Sequence, residues 1–245
     1  MDETLLKRLI EGLNECADVS PPVMDRAVER LCEFTRMLIE AKTRFNVTGA
    51  DSDAQIVSRH ILDSAIGYGF LKRRTLAAGA AIDVGSGAGL PGVVWAALEG
   101  FDRIVCCEAT RKKADFIRSV ARALNLDRLT VEDRRAEELG RDAQYREQFD
   151  VAAARALAPL NVSLELTSPL VRARGVCLCF KGRLVNEELE TAQTAIATLH
   201  LSLAARERYG VPSSEHGGEL LLFRKNFPTP ERYPRRAGIP QKRPV

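Results

Sequence analysis

Asp83-Val84-Gly85-Ser86-Gly87-Ala88-Gly89-Leu90-Pro91-Gly92 is the stretch that decides how this chain folds. Ala81–Val84 before it is a short apolar run that reads as a strand, and Pro91–Leu98 after it reads as an apolar helix. In doubly wound sheets a strand-to-helix junction of this kind lies at the carboxyl edge, where ligands bind. Glycines there let the backbone approach a ligand and take positive φ angles without a Cβ clash. From Gly85 the pattern is GxGxG, and from Gly87 it is GxGxxG, the dinucleotide fingerprint. Asp83 at the start of the loop is badly placed for a pyrophosphate, and it suits a ligand that brings a sulfonium and an α-amino group. Pro91 as a helix start would put Gly92 inside the helix rather than in the turn. Both features favour a methyl donor over a dinucleotide.

Strands and helices alternate on from this loop. Strands are expected at Arg103–Cys107, Leu129–Val131, Phe149–Ala154 and Gly175–Phe180, and closing strands near Leu201–Arg208 and Leu220–Arg224. Helices are expected at Lys112–Leu124, around Val162–Val171 and at Glu187–Leu199. This rhythm implies a mainly parallel sheet with helices on both faces. Ahead of it, Leu5, Leu6, Leu9, Ile10 and Leu13 repeat at helical spacing. Ser20-Pro21 then starts a second amphipathic helix with Ala27, Leu31, Phe34 and Leu38 in its stripe. Ala54 to Leu71 is helical again. The domain reading is 1–72 for an N-terminal helical extension, 73–226 for the α/β domain and 227–245 for a basic, proline-rich tail.

Candidate ligand contacts follow from the loop. Glu108 ends the second strand, where an acid can hydrogen-bond both hydroxyls of a ribose. Ala136 and Glu137 follow the third strand, where an adenine amino group could find a partner. Arg155 ends the fourth strand and could hold a carboxylate or a phosphate, and Lys181 at the end of the fifth suits a phosphate. His60, Asp63 and Ser64 share one helix and form a local polar face rather than a relay triad. Trp95 is read as core.

Composition bounds the rest. Of 245 residues, 45% are hydrophobic and 28% charged, as in a globular protein with a real core. The net charge of +3 is uneven. The last 22 residues carry seven basic side chains, one acid and five of the eleven prolines, on a slightly acidic body. Such a tail is either an extended arm for phosphates, with Arg235, Arg236, Lys242 and Arg243 as contacts, or a solvated end anchored by Tyr233 or Ile239. Met1-Asp2-Glu3 lacks the charge and apolar core of a signal peptide, and no apolar run approaches the roughly 20 residues that span a bilayer. Six cysteines without CxxC spacing are read as reduced, buried thiols, with Cys106 and Cys107 on opposite strand faces. A cytoplasmic monomer with no metal site is expected.

Several separated segments resemble one family: RsmG, also called GidB, a bacterial methyltransferase of small-subunit ribosomal RNA. They are Phe45-Asn46-Val47-Thr48, His60-Ile61-Leu62-Asp63-Ser64, Asp83 to Gly92 with its Leu90-Pro91-Gly92 ending, Ala109-Thr110-Arg111-Lys112-Lys113, Ala154-Arg155-Ala156 and Lys181-Gly182. The tail Tyr233-Pro234-Arg235-Arg236-Ala237-Gly238-Ile239-Pro240 is similar to that of some members. The resemblance implies a class I S-adenosylmethionine-dependent methyltransferase fold, Rossmann-like, with a seven-stranded sheet. It implies S-adenosylmethionine as cofactor and N7 of a guanine in 16S ribosomal RNA, naked or in the small-subunit particle, as acceptor. By this resemblance donor contacts would fall at Gly85, Leu90, Glu108, Ala109, Thr110, Ala136, Glu137 and Arg155, and the reading of the glycine loop adds Asp83, Ser86 and Gly87. Contacts to RNA would fall at Arg155, Lys181 and the tail cations. The alternatives are a methyltransferase of another RNA or a protein, a dinucleotide-dependent oxidoreductase, and a non-catalytic RNA-binding protein.

Overall fold

The computed structural model describes residues 3–44, 52–182, 184–212 and 214–245. The Phe45-Asn46-Val47-Thr48 segment of the resemblance lies outside them. Helices lead the chain: α1 (Glu3–Cys16), α2 (Pro21–Arg44), α3 (Asp53–Ile56), a π-helical stretch Val57–Leu62, and α4 (Asp63–Lys72). Of the stripes read from the sequence, Leu9, Leu13, Ala27, Leu31, Phe34 and Leu38 are fully covered, Leu5 and Ile10 are half-buried and Leu6 is exposed.

Then come β1 (Ala80–Val84), α5 (Gly92–Ala97), β2 (Arg103–Cys107), α6 (Arg111–Ala123), β3 (Leu129–Glu132), α7 (Ala136–Leu139) and β4 (Phe149–Arg155). The chain continues through α8 (Leu160–Thr167), β5 (Val171–Lys181), α9 (Val185–Thr191), α10 (Gln193–Thr198), β6 (Leu201–Gly210), β7 (Gly217–Lys225) and α11 (Ile239–Lys242). The seven strands form one sheet in the order β3-β2-β1-β4-β5-β7-β6. β1 to β5 run parallel, and β7 and β6 close the sheet as antiparallel strands.

Alternation along the strands builds two cores. Ala81, Ile104, Cys106, Ala153 and Leu178 face the N-terminal helices, α5 and α6. Ile82, Val105, Cys107, Ala152, Cys177 and Cys179 face the helices that follow β4 and β5. Cys106 and Cys107 therefore point to opposite faces, and all six thiols are free. Trp95 is fully buried and donates Nε1–H to Ser64 O at 3.0 Å, which ties α5 to α4. The N-terminal helices thus share one continuous core with the sheet. No helix among the described residues is long and apolar enough to cross a membrane.

Some boundaries differ from the sequence reading. The helix expected around Val162–Val171 ends at Thr167, because Pro169 cannot continue it and Val171 already pairs with Phe149. The helix expected at Glu187–Leu199 is two helices that break at Ala192. Pro91 is the N-cap of α5 rather than its first residue, with Gly92 inside the helix.

The largest difference concerns the tail. Its prolines suggested a projecting arm, yet residues 227–245 lie packed on the body, with Thr229, Tyr233, Pro234 and Pro240 buried. Arg146 donates to Thr229 O and Tyr233 O, both at 2.8 Å, and Arg141 to Pro234 O at 2.9 Å. Arg235 grips the fully buried Glu165 through its backbone N–H (3.0 Å), Nε (2.9 Å) and Nη2 (2.5 Å). A buried carboxylate demands such partners, and no periodicity in the tail announces one.

Candidate active site

The carboxyl edge of the parallel strands opens into a cavity of about 420 Å³, a size suited to a small-molecule ligand. Its wall runs from the glycine loop (Val84 to Ala88, Leu90) past Cys107–Thr110 and Arg134–Glu137 to Arg155–Ala158, and His60, Pro240 and Gln241 also line it.

The loop is held in place from both strands. Gly85 and Ser86 donate their N–H groups to Cys107 O, and the Ser86 hydroxyl bonds Asp83 O at 2.9 Å. Gly85, Gly87 and Gly89 all have positive φ. At Gly85 an added Cβ would also strike Leu157 at 2.4 Å, whereas at Gly87 nothing lies nearer than 4.0 Å. Gly87 is therefore a cradle, a point where a ligand can approach bare backbone. Glu108 accepts from Gly87 N (2.9 Å) and Thr110 N (2.7 Å), so the acid couples the loop to the start of α6. Each carboxylate oxygen keeps a second acceptor site for a ligand hydroxyl.

Asp83 does not stand in the cavity wall. It caps α5 from behind the loop, accepting from Gly92 N at 2.9 Å with Oδ2, while Oδ1 is buried without a partner. Burial pushes its carboxyl up to about 7. The sequence argument from its charge thus gives way to a structural role: Asp83 fixes the loop-to-helix turn. Leu90, Ala109, Thr110, Ala136 and Glu137 stand in the wall as expected. Glu137 also receives Gly238 N at 2.9 Å, which carries the tail to the cavity. Cys107 stands there too, its thiol donating to Arg134 O at 3.4 Å and pushed up to about 12 by burial and the nearby Asp83 and Glu108 carboxylates.

At the β4 end the wall is built by a cluster that the sequence only half announced. Arg155 donates Nε–H to Asp63 Oδ2 at 2.6 Å, Nη2 to Arg59 O, and Nη2 to His60 Nδ1 at 3.1 Å. Asp63 also accepts from Tyr209 Oη at 2.5 Å and lies 3.7 Å from His216 Nε2. Burial would raise the Asp63 carboxyl, but the nearby His216, the Arg155 charge and the bonds from Tyr209 and Arg155 hold it below the usual range. Burial and the Asp63 charge push the Tyr209 phenol up. The π-helical stretch widens the helix at Arg59 and His60 and frees a carbonyl for Arg155, a distortion common at functional sites. Ser64 bonds back to His60 O and joins no relay, consistent with the polar-face reading.

Burial, then the Arg155 charge, lowers the His60 imidazole to about 4, so it is neutral near pH 7. A guanidinium can only donate, so Nδ1 accepts and the ring proton sits on Nε2. His60 Nε2 is buried without a partner.

Lys181 is engaged elsewhere. It donates to Ala158 O (2.8 Å) and pairs with Glu188 (2.7 Å), shaping the turn below the cavity rather than offering a free cation. Arg235 is likewise committed to Glu165, while Arg236, Lys242 and Arg243 are exposed. Reading from the sequence put His60 near the mouth of the site without a ligand role, and missed Pro240 and Gln241 as wall residues. His60 could have been found from its place in the His60–Ser64 motif. Pro240 lies in the tail segment of the resemblance, but nothing in that segment points to the cavity.

Comparison with known proteins was made on this geometry. Residues 27–210 match the family described as rRNA small subunit methyltransferase G. A ribosomal RNA small subunit methyltransferase G of Carboxydothermus hydrogenoformans is 37% identical over 86% of this chain and 89% of its own length. The protein of that name from Alkaliphilus oremlandii is 33% identical over 98% of each chain. Among solved structures, an O-methyltransferase from Bacillus cereus in complex with SAH aligns with TM-score 0.56 at 17% identity, over 79% of this chain and 91% of that one. A ribosomal protein L11 methylase from Lactobacillus delbrueckii aligns with TM-score 0.51 at 16% identity, over 69% and 79%. These two alignments speak to the fold.

Proposed function

Given that this chain belongs to the rRNA small subunit methyltransferase G family, an S-adenosylmethionine-dependent group with the class I methyltransferase fold, we propose that it methylates N7 of a guanine in 16S ribosomal RNA. The cavity residues fit the donor. Glu108 has acceptor sites for a ribose, Gly87 offers bare backbone, and the wall at Ala136, Val162, Leu166 and Pro240 gives an adenine an apolar bed. When bound, the donor supplies an activated sulfonium methyl.

The observation that carries the choice of acceptor is the protonation pattern at the β4 end. His60 holds its proton on Nε2 while Nδ1 is occupied by Arg155, so the imidazole cannot remove a proton. Asp63 is engaged by Arg155 and Tyr209. An oxygen acceptor needs a base here, whereas guanine N7 has a free in-plane lone pair and no proton to lose. The residues of this end orient the base and exclude water, and in-line alignment supplies the rate. Exposed Arg236, Lys242 and Arg243 near the cavity rim are suited to phosphates. Such a substrate sets the work in the bacterial cytoplasm.

The test is to incubate the purified chain with labelled donor and either naked 16S RNA or small-subunit particles, then map the product. Label at guanine N7 supports the reading. Label on an oxygen or exocyclic nitrogen, or none, overturns it.

A further inference from the structure

The buried Nε2–H of His60 is a donor with nothing to donate to among the described residues. Leaving such a group unsatisfied costs about 1–3 kcal/mol, so a buried orphan on a cavity wall needs a reason. The structure keeps it deliberately placed. Arg155 fixes the tautomer through Nδ1, and Asp63 in turn holds Arg155. The π-helical stretch that carries His60 sets its backbone.

The position is informative. Along the sheet edge the order is β3, β2, β1, β4. Glu108 at the end of β2 and Ala136 after β3 mark the nucleoside side of the cavity, so His60 and Arg155 stand at the opposite side, toward the acceptor. We propose that the entering base uncovers His60 Nε2–H, which then donates to O6 of the target guanine and thereby selects guanine over adenine-like bases. This rests on the guanine-N7 reading and deepens it.

The chemistry of the purine edge favours this partner. N7 and the C6 substituent are neighbours, so a base presenting N7 to the methyl brings its C6 group to the same wall. Guanine carries an acceptor there and adenine a donor. A donor on the wall rewards the first and leaves two donors facing each other with the second. The neutral state of His60 also matters, since an imidazolium beside a sulfonium methyl and a purine gaining positive charge would oppose the transfer. Asp63 offsets the Arg155 charge one bond behind.

The experiment uses reconstituted small subunits whose mapped target guanine is replaced by inosine, which keeps O6, or by 2,6-diaminopurine, which has an amino group at C6. The wild type is expected to methylate inosine within about threefold of guanine and diaminopurine at least about tenfold less well, the loss expected when a buried polar group is left unpaired. His60→Leu should lose activity on guanine and let the two bases converge. His60→Gln retains a donor amide and should restore the preference. Independently of activity, nitrogen NMR should find the neutral Nε2-protonated ring at pH 7, with its proton resonance shifted by guanine-containing and not by diaminopurine-containing RNA. Wild type that methylates N7 of guanine and diaminopurine alike, or His60→Leu that keeps the full preference, overturns the proposal alone. Wild type that leaves N7 unmodified overturns the guanine-N7 reading, and the proposal with it.

Discussion

Arg235→Ala tests whether the tail is structure or arm. Glu165 is fully buried and takes three of its bonds from Arg235, two from the guanidinium and one from the backbone. Without the guanidinium, the carboxylate keeps only the backbone N–H. Stripping one partner from a buried ion pair costs about 3–5 kcal/mol, and because Arg235 is a quarter exposed (27%) the lower end applies, about 3 kcal/mol. At about 2–4 °C per kcal/mol for a chain of this size, Tm should fall by roughly 6–12 °C. Urea titration followed by circular dichroism reads the free energy, and calorimetry reads donor affinity, which should weaken because Pro240 and Gln241 leave the cavity wall. Arg235→Leu combined with Glu165→Leu removes both charges and should recover most of the loss, since apolar replacement of a whole pair is often neutral. A phosphate-contacting arginine behaves oppositely: its loss leaves stability alone and lowers the salt slope of RNA affinity by about 0.7. Arg235→Ala within about 1 kcal/mol of wild type would refute the packed-tail account.

Other outcomes follow from the cavity. Glu108→Ala should weaken donor binding more than tenfold by calorimetry, the roughly 1.5–3 kcal/mol of a charged hydrogen bond, and unchanged affinity would remove the acid from the site. Gly85→Ala should destabilise more than Gly87→Ala, because it adds a collision with Leu157 to the positive φ that both share; equal losses on thermal melting would count against the loop geometry. Gly87→Val should fold yet lose donor binding, and a folded variant with wild-type affinity would contradict its place as the cradle. Asp83 sits near 7 instead of its ordinary 3.8, so the folded chain holds a proton that the unfolded chain releases between those values. Its contribution to stability is complete at the low end and fades as pH rises toward 7. His60, lowered to about 4 from 6.5, acts with the opposite slope in the same window. The stability of wild type minus Asp83→Asn isolates the first and should decline from pH 4 to pH 7; a flat difference would show that Asp83 ionises freely.

The loop between β1 and α5 was legible because glycine spacing and a preceding apolar run encode local geometry directly. The same holds for Glu108, whose position follows from counting to the end of the next strand. The role of Asp83 was not legible. Strand alternation sends its side chain away from the ligand side, and the Gly92 amide it caps becomes visible only when α5 is in place. Lys181 and Arg235 show a general blindness: a charge at a strand end or in a basic tail reads as free, while its carboxylate partner is fixed by tertiary contact. Glu165 lies 70 positions from Arg235. The π-helical turn was hidden too, since Val57–Leu62 has ordinary helical composition, and its contacts with Arg155 and α1 are visible only in the folded chain.

The Cys107 thiol in the cavity wall has a consequence for chemical self-preservation. A sulfonium methyl is an electrophile that does not distinguish a nucleobase from any other soft nucleophile held against it, and a thiolate is the strongest such nucleophile a protein owns. Burial and the neighbouring carboxylates push its thiol far up, so Cys107 stays protonated at pH 7. The burial that excludes water from the strand end thus also keeps the protein from alkylating itself, and the lone pair left open to the methyl is the one that the substrate brings.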